Sequence, residues 1–355
     1  MKILLANAHP YIPQMVGGAQ SSINDLAKEF AARGHEVSVL GGLTGKGRLG
    51  AMSRVKLKLN RRGYVVDRTL GYPVYRAWFP WEVAADVARR VGADVVVPQS
   101  LFPVKIAQAL DGVDTRVVIY LRNAEVEDLG GSLHGLKGVT YVANSNFTAR
   151  RFRELFDVHA EVVYPLIRRE TYETETTREN VTFINPHPRK GLEVALGVAA
   201  RCPEIPFVFV AGWMLESDDR ARLMERLAAL PNVTLRPSTS DMKSVYGKAR
   251  IVLAPSQWEE AFGRIAVEPQ FSGIPVVASD RGGLPEAVGP GGVLIDPHAP
   301  ADVWADAVRR LWHDRDYYDA TSRAARDFSS RPEMDRGAQV DKLLSIFAGK
   351  GGVPA

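Results

Sequence analysis

The order of apolar and amphipathic segments is the feature that most restricts the fold. Residues 3–6 are apolar and predict a buried strand, and residues 17–18 form a Gly-Gly loop. Residues 21–33 carry apolar side chains at helical spacing, and residues 36–42 predict a second strand. Because a parallel strand pair needs a crossover of this kind, the order indicates a βαβ unit.

The strand and helix pattern recurs along the chain and predicts two α/β domains. Residues 162–180 interrupt it with a polar run, as a linker would. We therefore expect an N-terminal domain over 1–165, a second domain over 166–333, and a crossing helix with a frayed tail over 334–355. A chain of 355 residues is long enough for each domain to bury its own core.

Composition and charge restrict the location and the partners. Hydrophobic content of 46% and charged content of 24% are ordinary for a globular protein. Because no signal peptide and no apolar run of about 18 residues is present, we expect a cytoplasmic protein. Residues 1–165 carry 21 basic and 15 acidic residues, whereas the remainder carries 24 and 26. The N-terminal half therefore holds the positive charge.

A basic run over residues 46–62 contains seven Lys or Arg residues and no acid. It predicts either a solvated face or a contact with an anionic partner, such as a membrane at its inner face or a phosphate-bearing acceptor. We expect no nucleic-acid partner, because aromatic residues are not interleaved and no binding motif accompanies the run.

Two carboxylates, Glu260 and Glu268, follow a strand predicted over residues 251–254. If the segment between them were helical, eight positions would give roughly 12 Å of rise and about 80° of rotation. Paired glycosidase acids lie about 5 to 9.5 Å apart, so this spacing suits acids that grip two ends of an elongated ligand. A nucleotide sugar is such a ligand.

Three further features point to a phosphate-bearing ligand. Phe262 and Gly263 lie at a predicted helix start, where amide groups and the helix dipole favour an anion. Lys190 lies after the first strand of the second domain, at the edge where open α/β sheets bind ligands, and can stabilise charge on a leaving oxygen. The amides of Gly17 and Gly18 can approach a diphosphate, although a plain tight turn is an equal alternative.

Two other classes of protein have little support. No Gly-x-Gly-x-x-Gly follows the first strand, so a dehydrogenase lacks its phosphate-binding fingerprint. The only Asp-x-Asp match, at Asp314 and Asp316, lies on predicted helical surface, and Cys and His residues lack the spacing of metal ligands. We therefore expect no metal and no resident cofactor.

With the segments 17–20, 142–145, 163–165 and 260–286, the chain resembles glycosyltransferase family 4, whose members are retaining, nucleotide-sugar-dependent enzymes of GT-B architecture. The resemblance implies two Rossmann-like domains facing across a cleft. The donor would bind mainly to the C-terminal domain and the acceptor to the N-terminal one. The last helix would cross back to the first domain.

The resemblance also assigns roles to residues. Glu268 matches the family Glu that holds the donor ribose, Glu260 matches the Glu at the transferred sugar, and Lys190 matches the diphosphate Lys. Asn185 replaces the usual second cation, which leaves Arg189 and Arg264 as substitutes. Backbone groups in two loops complete the donor site, at Phe262, Gly263, Arg264, Ile265 and Ser238. Arg122 and Asn123 stand where the family has a His, and His9 is a second candidate on the acceptor side.

The predicted function is retaining transfer of a sugar from a nucleoside-diphosphate sugar to an acceptor hydroxyl. A UDP-sugar is favoured over a GDP-sugar, and the product would be a glycan, glycolipid or natural-product glycoside. The acceptor is unassigned, with anionic or lipid-linked molecules favoured. Two alternatives stay open: a hydrolysing nucleotide-sugar epimerase, and a non-catalytic nucleotide-sugar-binding protein.

Overall fold

The computed structural model of the chain describes residues 1–15, 17–59, 62–212 and 217–350. It consists of two compact units: unit 1 comprises Met1–Leu166 together with the segment from Arg336 onward, and unit 2 comprises Ile167–Asp335. The sequence placed the boundaries at 165 and 333. The tail expected to fray lies, from residue 351, outside the described residues.

The strands and helices alternate along both units. The strands are β1 (Lys2–Pro10), β2 (Glu36–Gly42), β3 (Tyr64–Asp67), β4 (Val74–Ala77), β5 (Val95–Pro98), β6 (Arg116–Leu121), β7 (Val139–Ala143), β8 (Ala160–Val162), β9 (Asn180–Ile184), β10 (Phe207–Val210), β11 (Val233–Arg236), β12 (Ala249–Ala254), β13 (Val276–Ser279) and β14 (Gly292–Ile295). The helices are α1 (Gly18–Ala32), α2 (Gly47–Leu59), α3 (Pro80–Val91), α4 (Pro103–Gln108), α5 (Asn146–Phe156), α6 (Arg169–Tyr172), α7 (Leu192–Arg201), α8 (Ser217–Ala228), α9 (Met242–Tyr246), α10 (Arg264–Gln270), α11 (Leu284–Val288), α12 (Ala301–His313), α13 (Arg315–Ser329) and α14 (Arg336–Phe347).

Unit 1 is built on an eight-stranded sheet in the order β3-β4-β2-β1-β5-β6-β7-β8. All neighbours are parallel except β3, which runs antiparallel to β4. Side chains of β1 alternate between two cores, with Ile3 and Leu5 in one and Leu4 and Ala6 in the other. The sheet is therefore buried on both faces, which explains its nearly continuous apolar strands.

Unit 2 is built on a six-stranded sheet, all parallel, in the order β11-β10-β9-β12-β13-β14. Counted within the unit this is the doubly wound order 3-2-1-4-5-6. The strand order reverses between β9 and β12, and ligands of open α/β sheets bind outside the carboxyl ends of the strands at such a point. The loops after β9 and β12 are therefore the first place to look for a site.

Two elements of unit 1 differ from the sequence expectation. Helix α1 begins at Gly18 rather than at residue 21, because the Gly pair forms the helix start instead of a preceding loop. The basic run folds as helix α2, which spans Gly47–Leu59. Within the described ranges, no helix combines the length and the apolar character that crossing a membrane requires.

The last helix, α14, packs into unit 1, as the family resemblance implied. Its apolar residues Val340, Leu343, Ile346 and Phe347 belong to one of the two cores of that unit. The Phe347 ring meets Phe30 of α1 edge to face, with centroids 5.6 Å apart. The chain thus leaves unit 1, forms unit 2 and returns to complete the core of unit 1.

We expect the substitution Leu343→Ala to lower the free energy of unfolding of unit 1 by about 2 to 5 kcal/mol, because it removes a fully buried side chain and leaves a cavity. The matched control is Leu155→Ala on α5, where the side chain is 48% exposed and the expected change is within about 0.5 kcal/mol. Urea denaturation of the two variants measures the difference. Equal losses would show that α14 does not contribute to the core.

Candidate functional site

Lys190 and Glu260 meet at the switch point of the unit 2 sheet. Lys190 lies in the loop after β9 and Glu260 in the loop after β12, and the Lys190 ammonium donates to Glu260 Oε1. The side chains are 19% and 16% exposed. The hydroxyl of Ser256 donates to the same carboxylate oxygen over 3.2 Å. The two residues predicted to act on the donor are thus in direct contact.

Backbone contacts hold these two loops together. The Arg189 carbonyl accepts hydrogen bonds from the amides of Gln257 (3.0 Å) and Trp258 (3.1 Å). Gly191 has φ 82°, and a Cβ built on it would lie 1.9 Å from the Pro255 carbonyl oxygen. Glycine is therefore required both by conformation and by space at this position. The Lys190 loop is thus fixed on the β12 loop by contacts within the protein.

Trp258 forms an aromatic surface beneath the basic residues of the β9 loop. The guanidinium of Arg189 lies 5.1 Å and the ammonium of Lys190 lies 5.2 Å from the centroid of its ring. Both distances fall in the range of cation–π attraction. Two positive charges therefore lie close to one ring, which favours an anionic ligand such as a diphosphate.

A third loop, after β13, fixes the backbone of Glu260. The amide of Gly283 donates to the Glu260 carbonyl over 2.7 Å. A Cβ on Gly282 would lie 2.8 Å from the same oxygen, and one on Gly283 would lie 2.7 Å from the Ala261 carbonyl oxygen. The Gly pair thus permits a backbone approach that larger residues would block.

The helical spacing assumed between Glu260 and Glu268 is wrong for its first half. Helix α10 begins only at Arg264, and Glu260 lies in the preceding irregular loop. Gly263 is the N-cap with φ 96°, a left-handed conformation, and it packs closely on Leu284. Because the loop is held by the β13 loop, its path is set by tertiary contacts rather than by helix geometry.

Glu268 is held within unit 2 by two partners. Its carboxylate accepts a hydrogen bond from Arg264 Nε over 3.1 Å and from the Tyr246 hydroxyl over 3.0 Å. Burial and the neighbouring Glu268 charge raise the pKa of Tyr246 well above its usual value, so the phenol stays a donor. Arg264 also donates to the Tyr172 hydroxyl over 2.8 Å. The carboxylate is fixed in orientation.

The remaining donor-side candidates differ in what they can contribute. Phe262 and Ile265 have apolar side chains and Gly263 has no side chain, so these three residues can act only through their backbone groups. Phe262 is also buried. Asn185 has φ 64° and lies against Gly212. A Cβ built on Gly212 would be 2.7 Å from the Cγ of Asn185. Ser238 is exposed in the loop after β11, the edge strand.

In unit 1 the acceptor-side candidates lie at the carboxyl ends of β1 and β6. Arg122 donates to Gln99 Oε1 over 2.8 Å, and the Asn123 amide donates to the Asp128 carboxylate. His9 belongs to β1 itself rather than to the following loop, a correction to the sequence reading. Burial lowers the pKa of His9, and the Asp128 charge opposes that shift in part.

Gly17 and Gly18 form the N-terminus of α1, with Gly17 as the N-cap in extended conformation. The segment that leads to them is held by the fully buried Arg76. Its guanidinium donates to the carbonyls of Tyr11 (3.1 Å) and Ile12 (2.6 Å) and pairs with Asp67. No local pattern marks Arg76 as a structural residue, because the two carbonyls that it binds belong to a segment more than 60 positions away.

Metal ligation has no support in the described part of the chain. There, no three His, Cys, Asp or Glu side chains converge. Asp314 of the Asp-x-Asp match is the N-cap of α13, where its carboxylate accepts from the Tyr317 amide over 3.0 Å. A capping role accounts for this residue, and the expectation of a metal-free protein stays a prediction.

Two glycosyltransferase family models match consecutive segments of this chain, whose two α/β units have the GT-B fold. The model for glycosyl transferases group 1 matches residues 170–328, and the model for Glycosyltransferase Family 4 matches residues 16–170. The chain therefore belongs to the family 4 type of glycosyltransferase.

Solved structures share the fold over almost the whole chain. Sucrose-phosphate synthase from Thermosynechococcus elongatus superimposes with a TM-score of 0.78 at 16% identity, covering 98% of both chains. HepE from Anabaena, solved in complex with UDP-glucose, gives 0.77 at 19% identity, covering 98% of this chain and 100% of HepE. At this identity the likeness establishes the fold alone.

Curated relatives match over shorter segments. D-inositol 3-phosphate glycosyltransferase of Mycolicibacterium smegmatis is 33% identical over 189 residues, which is 51% of this chain and 42% of that protein. The enzyme of the same name from Corynebacterium kroppenstedtii is 48% identical over 93 residues, which is 26% of this chain and 20% of that protein. The match thus spans less than half the length of either relative.

We expect Gly191→Ala to destabilise unit 2 by about 1 to 3 kcal/mol, because alanine disfavours this positive φ and its Cβ collides with the Pro255 carbonyl. Gly18→Ala is the matched control, since a Cβ there meets no atom within 4 Å and no positive φ opposes it. Thermal melts of both variants make the comparison. A wild-type melting temperature for Gly191→Ala would contradict the close packing of the two loops.

Proposed function

We propose that the protein transfers a sugar, with retention of anomeric configuration, from a nucleoside-diphosphate sugar to an acceptor hydroxyl. The observation that carries the proposal is the contact of Lys190 with Glu260 at the switch point of unit 2. The family membership and the UDP-glucose complex of the structurally similar HepE support a nucleotide-sugar donor. We favour a UDP-sugar, and a hexose as the transferred group.

In the proposed reaction the donor enters between groups that already face each other. Its diphosphate competes with Glu260 for the Lys190 ammonium, and the freed carboxylate then accepts hydrogen bonds from the sugar hydroxyls. The bond between the anomeric carbon and the diphosphate oxygen breaks, and the acceptor oxygen bonds to the anomeric carbon on the same face. The departing oxygen takes the acceptor proton, while Lys190, released from Glu260, stabilises its negative charge. No step requires a metal ion.

The nucleotide end of the donor is assigned to Glu268. Its carboxylate accepts hydrogen bonds from the ribose hydroxyls, and the hydrogen bonds from Arg264 and Tyr246 set the orientation of the carboxylate. Arg189, stacked on Trp258, supplies the second positive charge at the diphosphate in place of Asn185. Ser238 contributes through the backbone of its loop to binding of the base.

The acceptor side of the proposal rests on unit 1. His9, Arg122 and Asn123 lie at its carboxyl edge, and the basic surplus of residues 1–165 favours an anionic or lipid-linked acceptor. The names of the curated relatives contain D-inositol 3-phosphate, a phosphate-bearing molecule, and an acceptor of this kind would agree with that charge. We place the reaction in the cytoplasm or at the inner face of a membrane, in the synthesis of a glycan or glycoside.

We expect Lys190→Ala and Glu260→Gln each to lower the turnover number by about 10² to 10³, the loss typical of removing one electrostatic contact to a developing charge. Lys248→Ala and Glu179→Gln are the controls, because this ion pair of the same unit is 60% and 51% exposed. Release of UDP from UDP-glucose with an acceptor panel measures the rates. Wild-type rates in the two site variants would refute the mechanism.

The product of the same assay separates the proposal from its alternatives. A new glycosidic bond with retained configuration supports transfer. An isomerised sugar formed without an acceptor would identify an epimerase, and donor binding without nucleotide release would identify a binding protein. Each of the last two outcomes overturns the proposal.

We expect a UDP-sugar to raise the melting temperature more than a GDP- or ADP-sugar does. At a concentration 100 times the dissociation constant, a ligand of the folded state stabilises it by about 2.7 kcal/mol. Glu268→Gln should reduce the stabilisation by the UDP-sugar, because the amide accepts fewer hydrogen bonds from ribose than the carboxylate does. Glu179→Gln is again the control, and an unchanged shift in Glu268→Gln would contradict the ribose assignment.

A further inference from the structure

Helix α2 is packed onto unit 1 by small residues. Only Gly50 and Ser53 of its 13 residues are buried. A Cβ on Gly50 would lie 2.5 Å from the Thr44 carbonyl oxygen, so the helix lies directly against the chain that leads into it. An ordinary surface helix buries an apolar stripe instead. Leu49 and Leu57 are half-buried, and the packing of α2 leaves its other large apolar residues, Met52, Val55 and Leu59, exposed.

Those apolar residues form a stripe on the outer side of the helix. Met52, Val55 and Leu59 are 57%, 59% and 83% exposed. Their spacing of three and four positions places them within about 60° of arc, at 100° per residue, on the side away from Gly50 and Ser53. An exposed stripe of this kind does not stabilise the folded monomer, and such patches mark interaction surfaces.

Further exposed apolar side chains belong to the same part of unit 1. Val66 of β3 lines the same depression as Leu59 of α2, and the pairing of β3 with β4 sets Tyr64 opposite Ala77, the residue before Trp78 and Phe79. Half of the large apolar residues that are exposed in the described part of the chain fall between positions 52 and 79, namely Met52, Val55, Leu59, Val66, Trp78 and Phe79. We call these six residues the apolar patch.

Positive charge lies on helix α2 and beside Leu59 and Val66 of the apolar patch. Arg48, Lys56, Lys58 and Arg62 are exposed, and a depression of about 290 Å³ is lined by Lys56, Arg62 and Arg90 together with apolar side chains that include Leu59 and Val66. Asp86 interacts with Tyr64, which also lines this depression. Arg61 of the basic run lies outside the described residues. Cations around exposed apolar side chains are the composition of helices that lie in a membrane interface.

We propose that α2 and the apolar patch dock on the surface of an anionic phospholipid bilayer. Met52, Val55 and Leu59 enter the boundary between headgroups and acyl chains, Trp78 occupies the interface, and Lys56, Lys58 and Arg62 bind lipid phosphates. A second copy of the chain fits this face poorly, because it would bring the same cations together. The proposal goes beyond the proposed sugar transfer, since no residue assigned to donor or acceptor takes part.

The test is co-sedimentation of the full chain with vesicles of phosphatidylcholine alone or mixed with phosphatidylglycerol. We expect binding to the mixed vesicles that weakens with added salt. Val55→Glu and Leu59→Glu should each lower the bound fraction about tenfold, because a charge cannot enter the acyl boundary. Leu155→Glu and Val303→Glu are matched controls at side chains that are 48% and 46% exposed elsewhere, and they should bind as the wild type does.

A second pair of variants tests the charges. The double substitution Lys56→Gln with Lys58→Gln should weaken binding to phosphatidylglycerol vesicles several-fold. Lys28→Gln with Lys137→Gln changes the net charge equally at exposed positions outside α2 and should leave binding unchanged. The thermal shift by a UDP-sugar should be the same in all of these variants. Failure of donor binding and failure of membrane docking are thereby distinguished.

Three results would overturn the proposal. The first is an absence of vesicle binding by the wild type, and the second is equal binding by the Leu59→Glu and Leu155→Glu variants. The third is a dimer in sedimentation equilibrium that Leu59→Glu converts to a monomer, since the face would then be an interface between two copies.

Discussion

The contact between the loops after β9 and β12 is the constraint on which the site depends. The Arg189 carbonyl accepts hydrogen bonds from the amides of Gln257 and Trp258. Gly191 lies so close to Pro255 that no side chain fits at position 191. Strands β9 and β12 are neighbours at the point where the strand order reverses, so the topology brings the loops that follow them together. The side chains of Lys190 and Glu260 meet as a consequence.

The ion pair between Lys190 and Glu260 is better explained by function than by stability. Partial desolvation of two charges offsets much of their attraction, so such pairs contribute little net stability compared with apolar packing. A cation and a carboxylate that are held in place by backbone contacts, however, are preorganised for a charged ligand. The surrounding Ser256, Trp258 and Gly283 contacts keep both groups in position while leaving them partly exposed.

Much of the fold and part of the site could be predicted from the sequence, because they depend on local pattern. Apolar runs and glycine positions indicated the α/β order, and α14 completes the core of unit 1 as the family resemblance implied. The path of the chain at Glu260 could not be predicted, since the loop is shaped by Gly282 and Gly283, about 20 positions later. His9 lies in β1 for a similar reason: Pro10 pairs with Gly42 of β2, more than 30 positions along the chain.

Local sequence pattern encodes the alternation of strands and helices, the Lys and Glu residues after two strands, and a basic run without acids. The positions of these groups relative to one another depend on how the chain packs. The strand order made neighbours of Lys190 and Glu260, which are 70 positions apart. The small residues Gly50 and Ser53 turned α2 so that Met52, Val55 and Leu59 face outward. The physical reason in both cases is close packing, which depends on contacts between distant segments that no local pattern encodes.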